Sequence, residues 1–179
     1  MVRHWFNRAA LGCIMLWTGQ ACLAQDEIFV SNSNSNAVTV YALGANGNAA
    51  PLRTLAGNLT GLSSPSGLAV DLVNDELLVV NKTLPYSVTV YPRTASGNVA
   101  PLRTITGALT GLDDPRGISV DTVHGEFAVA NRAGFSITTF ARTANGNVAP
   151  VRLLQTMGLS SPWGVHVDVT HDEILVANN

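Results

Sequence analysis

The sequence predicts an all-β chain, and three observations predict it. A stretch of about 25 residues, GNAAPLRTLAGNLTGLSSPSGLAVD from Gly47, returns from Gly97 as GNVAPLRTITGALTGLDDPRGISVD and from Gly146 as GNVAPVRLLQTMGLSSPWGVHVD, a period of about 50 residues. Each period holds four short apolar runs, rich in β-branched residues and separated by turn chemistry. No helix is needed to account for anything after residue 24.

The first residues stand apart. MVRHWFNR carries Arg3 and Arg8, AALGCIMLW is a short apolar run, and TGQACLA ends in small residues. That order is the order of a secretory signal peptide over residues 1–24. The run is shorter than the ~20 residues a membrane span needs. Cleavage after Ala24 places Cys22 and Ala24 at the site, whereas cleavage after Ala21 would leave Cys22 as a lipoprotein-type N-terminus. Gly19 and Gln20 fit the lipoprotein pattern poorly. Both cysteines, Cys13 and Cys22, lie in this leader, so the remaining chain has no thiol and must rely on its core. A secreted or periplasmic location is expected, with no membrane span once the leader is gone.

Four kinds of strand follow in order. LLVVN, FAVAN and ILVAN are apolar runs closed by Asn. AVTVY, SVTVY and SITTF alternate and end in an aromatic residue. PLRTL, PLRTI and PVRLL alternate again after a proline, which a strand's first position tolerates. GLAVD, GISVD and GVHVD close each cycle. Between them, Gly47, Gly97 and Gly146 supply the positive φ of a hairpin. Pro65, Pro115 and Pro162 fix φ at the entry to the next copy, and Gly67, Gly117 and Gly164 allow close backbone approach. DLVNDE, DTVHGE and DVTHDE form the remaining turns, in which Asp and Asn can bond the local backbone.

Four antiparallel strands per repeat, apolar on both faces, describe a β-propeller blade pressed between two neighbours. One blade cannot bury both faces alone, so the sequence repeats. Copies run over 28–76, 77–126 and 127–173, and a fourth begins at 174–179. With only about three blades present, the chain reads as an open arc or a fragment of a larger ring, and its open faces invite self-association.

The segments PSGLAVDLVNDELLVVN, PRGISVDTVHGEFAVAN and PWGVHVDVTHDEILVAN resemble the core pattern of NHL-repeat β-propellers. More loosely, the chain is similar to the SMP-30/gluconolactonase-like six-bladed propellers. The second resemblance implies a divalent cation, calcium or zinc, in a central channel, but no residue here matches those ligands one by one. Kelch and WD40 patterns fit less well, because no Gly-Gly doublet and no Gly-His…Trp-Asp pair occurs.

Charge and composition narrow the function. The chain carries 10 basic and 12 acidic residues, and 6% of its residues are aromatic. That balance gives neither the basic stripe nor the stacking surface of a nucleic-acid binder. Asp71, Asp121 and Asp168, Glu76, Glu126 and Glu173, and Asn81, Asn131 and Asn178 recur in register, which favours turn capping over a ring of cation ligands. Residues that break the repeat are better candidates. Ser66, Arg116 and Trp163 share one slot just before the innermost strand, at the channel mouth, and His166 replaces Ala69 and Ser119. Lys82, Tyr86, Arg132 and Phe135 lie in loops that differ between copies. Arg116 suits an anion and Trp163 a ring or sugar. No catalytic motif occurs, so no catalytic residue is assigned. The expectation is a secreted binding or scaffold module whose ligand is a protein, a sugar or a small anion, with no cofactor. A metal-dependent lactonase is the alternative, and a truncated chain without a function of its own is a third reading.

Overall fold

The computed structural model describes residues 27–179. The expected leader and both cysteines lie outside the described residues. Thirteen strands follow one another: β1 (Glu27–Asn32), β2 (Ala37–Ala42), β3 (Arg53–Ala56), β4 (Pro65–Asp71), β5 (Glu76–Asn81), β6 (Ser87–Pro92) and β7 (Arg103–Thr106), then β8 (Pro115–Asp121), β9 (Glu126–Asn131), β10 (Ser136–Ala141), β11 (Arg152–Gln155), β12 (Pro162–Asp168) and β13 (Glu173–Asn178). Two 3₁₀ turns, Ser33–Ser35 and Ala108–Thr110, are the helical elements among the described residues. No helix there is long and apolar enough to cross a membrane.

The strands form antiparallel sheets in chain order: β1-β2-β3, β4-β5-β6-β7, β8-β9-β10-β11 and β12-β13. These are blades of a partial β-propeller. β4, β8 and β12 are the innermost strands and neighbour one another. The sheets are out of phase with repeats counted from Ile28, because each blade opens at Pro65, Pro115 or Pro162. Two sheets are therefore complete, one has three strands and one has two. The strand-initiating prolines are these three. Pro51, Pro101 and Pro150 instead precede their short outer strands by two residues.

The two-sided apolar pattern of β5 explains the packing. Leu77 and Val79 join Val38 and Leu55 of the preceding blade, whereas Leu78 and Val80 join Ile118 and Phe127 of the following one. Successive strand residues point to opposite faces, so one apolar run supplies two cores. Complete burial of a side chain such as Leu78 is worth about 1.5–3 kcal/mol. The third core sets Ala128, Ala130 and Ile137 against Val165, Val167 and Val176.

The Gly97 segment is not a tight hairpin. Residues 93–102 form a long connection, and Gly97, at φ 73°, docks on the outer strand of the preceding blade. Its amide donates to the Thr54 carbonyl at 2.8 Å and its carbonyl accepts from the Ala56 amide at 3.1 Å. Gly146 repeats this on Thr104 and Thr106 at 2.7 and 3.1 Å. The positive φ expected of these glycines is present, in the service of an inter-blade bridge. Two of the three inner-strand glycines, Gly67 and Gly117, have the expected use, whereas Gly164 meets only the Ala177 Cβ at 3.5 Å. A Cβ on Gly67 would sit 2.3 Å from the Arg116 carbonyl oxygen, and one on Gly117 would sit 2.8 Å from that of Trp163.

Candidate functional site

Strand direction gives the arc two ends. At one end lie the starts of β4, β8 and β12, together with the β5–β6 and β9–β10 loops. Arg116 and Trp163 occupy the second position of β8 and β12, inside the strands rather than just before them. Because these inner strands are neighbours, the two side chains meet. The Arg116 Cζ lies 4.8 Å from the Trp163 ring centroid, within cation–π range. Arg132, at the start of the β9–β10 loop, places its Cζ 5.9 Å from the same ring.

Asp114 ties this group together. The Arg116 guanidinium lies 2.7 Å from the Asp114 carboxylate, and Arg132 Nε donates to Oδ2 at 2.5 Å. Asp114 adopts φ 48°, and its carbonyl accepts from the Arg132 amide at 3.1 Å. Burial acts to raise the Asp114 pKa, but hydrogen bonds and charge from Arg116 and Arg132 outweigh it and hold the carboxyl below its ordinary range. Two guanidiniums share the Asp114 carboxylate, and the exposed Asp113 beside it adds a second carboxylate at the same end. Arg116 is held in place, with 13% of its side chain exposed, whereas Arg132 is 40% exposed and Trp163 47%. A shallow cavity of about 360 Å³ adjoins, lined by Trp163, Asn178 and Asn179. The cluster therefore presents the part-exposed Arg132 guanidinium beside a half-open indole.

The other sequence candidates divide. Ser66 does not face the mouth, because its hydroxyl donates to the Arg116 carbonyl at 3.1 Å and braces the strand that carries Arg116. His166 points away from the cluster. Val165 and Val167 take the face toward the preceding blade, so alternation puts His166 on the uncovered face, cross-strand from Leu175. It is exposed in this last sheet, at the position where Ser119 of the preceding sheet is buried and accepts from the Val167 amide. Lys82 and Tyr86 share the end but not the cluster. Ser64 stands where the next blade has Asp114, so Lys82 has no carboxylate to organise it there. Phe135 is half exposed at φ 47° beside the cluster's loop. Asp114 itself went unread in the sequence, although it breaks the repeat against Ser64 and Ser161 and so carried the signal that marked Arg116.

The repeated polar residues are structural. Asp71 Oδ1 accepts from the Val73 and Asn74 amides at 2.9 and 3.0 Å, and Asp121 and Asp168 cap their turns in the same way. Asn81 accepts from the Ser63 amide and donates to Ser87 and Thr89, and Asn131 repeats the pattern. Glu76 binds Arg103 through two 2.8 Å hydrogen bonds. Among the described residues, no three His, Cys, Asp or Glu side chains converge in a metal-binding group.

No family model matches the chain, and no curated protein matches it. Solved structures do. A chain of the nidogen/laminin complex aligns over 86% of this chain and 51% of its own length, with 16% identity and TM-score 0.61. The hydrazine synthase of Kuenenia stuttgartiensis aligns over 86% of this chain and 39% of its own, with 18% identity and TM-score 0.64. The chain thus spans about half or less of each solved chain. At such identities the likeness shows the fold alone, and that fold is propeller-like.

Proposed function

We propose that the chain is an NHL-like β-propeller binding module, exported through the leader at residues 1–24, whose ligand contacts the end of the arc that carries Arg116, Arg132 and Trp163. One observation carries this reading. Three of the residues that break the repeat, Arg116, Arg132 and Trp163, converge, with Asp114 organising the two guanidiniums beside a half-exposed indole. A ligand that fits has an anionic group for Arg132 and a flat ring or sugar face for Trp163. Such a group can be free or displayed on a protein, and one structural neighbour is a complex between two proteins.

A thermal-shift screen tests the reading, with sugar acids, aromatic carboxylates, calcium and zinc as ligands and lactone hydrolysis followed in parallel. Binding stabilises the folded state by mass action. The proposal expects anionic ring compounds to raise the Tm. Stabilisation by a metal together with lactone turnover would replace it with the hydrolase reading.

A further inference from the structure

Two loops at the Arg116 end of the arc are built alike. The β1–β2 and β9–β10 loops each have four residues and end in the left-handed region, at Asn36 with φ 49° and at Phe135 with φ 47°. The first lies against Ser64 at the entry to the next blade, and the second against the segment from Ser161 to Trp163, which Arg132 reaches. Ser64 and Ser161 also match, at φ 51° and 53°. The β5–β6 loop is one residue longer and holds no left-handed residue.

The side chains differ, and they change the seam between blades. The Ser64 amide donates to Asn36 Oδ1 at 2.6 Å, and the Ser33 hydroxyl donates to the Pro65 carbonyl at 2.6 Å. Phe135 offers no acceptor in the place of Asn36, and Arg132, in the place of Ser33, is held by Asp114. The Ser160 amide donates to Asn178 Oδ1 at 3.1 Å, but among the described residues nothing accepts from the Ser161 amide. A bulky side chain is disfavoured at positive φ, whereas asparagine is tolerated there. The Phe135 ring is also 50% exposed. Asparagine at residue 135 would bond the amide, suit the backbone and expose no ring, so folding alone does not select phenylalanine.

We infer that this seam receives an acylamino group, such as an acetamido substituent, on the anionic ring ligand of the proposed binding end. The inference rests on that reading and narrows the ligand to an N-acylated sugar acid. The acyl oxygen accepts from the Ser161 amide, as the carboxamide oxygen of Asn36 accepts from that of Ser64. The methyl group packs on Phe135, whose ring provides apolar surface and no acceptor. Asp113 decides against a second carboxylate here. It is exposed, and a Cβ on Gly134 of the same loop would lie 3.2 Å from the Asp113 Cβ. Spacing fits as well. Two residues of extended strand, about 7 Å, separate Ser161 from Trp163, which matches a sugar ring and one substituent.

The test titrates the whole chain with N-acetylneuraminate and with its analogue that carries a hydroxyl in place of the acetamido group. Trp163 fluorescence reads binding, and the Ser161 amide resonance reads the subsite. Both compounds should bind, the acetamido compound about tenfold more tightly, the order of one hydrogen bond with its methyl contact. It alone should shift the Ser161 amide. Phe135→Asn supplies the acceptor from within the chain. It should raise the melting temperature and abolish the tenfold preference, with the hydroxyl analogue bound as before. Equal binding of the two compounds to wild type, or a preference that survives Phe135→Asn, would overturn the inference and leave the binding end standing. No response to either compound would overturn it too, and the screen of aromatic carboxylates then decides the binding end separately.

Discussion

Glu27 and Arg93 stand 66 residues apart in the chain and 2.7 Å apart in the structure. Their contact joins the first blade to the second, and the Arg53 hydrogen bond, foremost, holds the Glu27 pKa below its ordinary value despite burial. Arg93 is 8% exposed, whereas Arg152, which pairs with Glu126 two blades on, is 57% exposed. Arg93→Ala should therefore lower stability by about 1–3 kcal/mol, since it removes charge-assisted hydrogen bonds from a partly buried carboxylate. Arg152→Ala should cost less than about 1 kcal/mol, as exposed pairs do. Urea unfolding of both variants checks the contrast, and equal losses would show that the network does not join blades.

The inner strands approach too closely for side chains at two of three equivalent positions. Gly67→Ala should destabilise by several kcal/mol, because its Cβ would meet a backbone carbonyl oxygen at 2.3 Å. Gly164→Ala should be tolerated, because its nearest neighbour is the Ala177 Cβ at 3.5 Å. Melting temperatures of the two variants decide the matter, and a harmless Gly67→Ala would mean that the inner strands sit farther apart.

His124 and Asp121 form a pH-sensitive turn. The Asp121 hydrogen bond, then its charge, raises the His124 pKa above the ordinary histidine value. Burial acts to raise the Asp121 pKa, but hydrogen bonds from the His124 backbone and ring and its charge outweigh this and lower it. A raised histidine pKa adds stability that is complete below its unfolded value and is lost as pH rises through its folded value. The lowered carboxyl pKa adds stability present above its unfolded value and lost as pH falls through its folded value. NMR titration should find the His124 pKa above that of free histidine and returned toward it in Asp121→Asn. An unchanged value in the variant would remove the pair from the account.

Export is tested by N-terminal sequencing. Secreted or periplasmic protein should begin at Gln25. A soluble cytoplasmic pool that retains Met1 would contradict the leader assignment.

Sequence alone carried the blade architecture because each blade repeats the same physical problem. Two-sided apolar strands, Asp-capped turns and glycines at close approaches recur in register and can be counted. The phase of the sheets was less legible, because Pro65 and Pro51 both precede strand-like runs and only pairing shows which opens a blade. The ion network was written in the repeat, in Glu27, Glu76 and Glu126 against Arg53, Arg103 and Arg152, but long-range pairing has no local period. At the site, Arg116 and Trp163 were legible as departures from the repeat. His166 misled because a strand turns alternate residues to opposite faces, and Ser66 because its hydroxyl serves the neighbouring backbone.

The Arg116–Trp163 end is proposed to bind an anionic ring ligand. Trp163 is the one tryptophan after Trp17, so its fluorescence reports on the site. The decisive measurement is a fluorescence titration with benzoate, glucuronate and their neutral amides, on wild type, Trp163→Phe and Arg132→Ala. A saturable change is expected with an anionic compound, together with its disappearance in Trp163→Phe and about tenfold weaker binding in Arg132→Ala, equivalent to ~1.4 kcal/mol. Saturation that is indifferent to ligand charge and to Arg132, or no response to any compound, would contradict it.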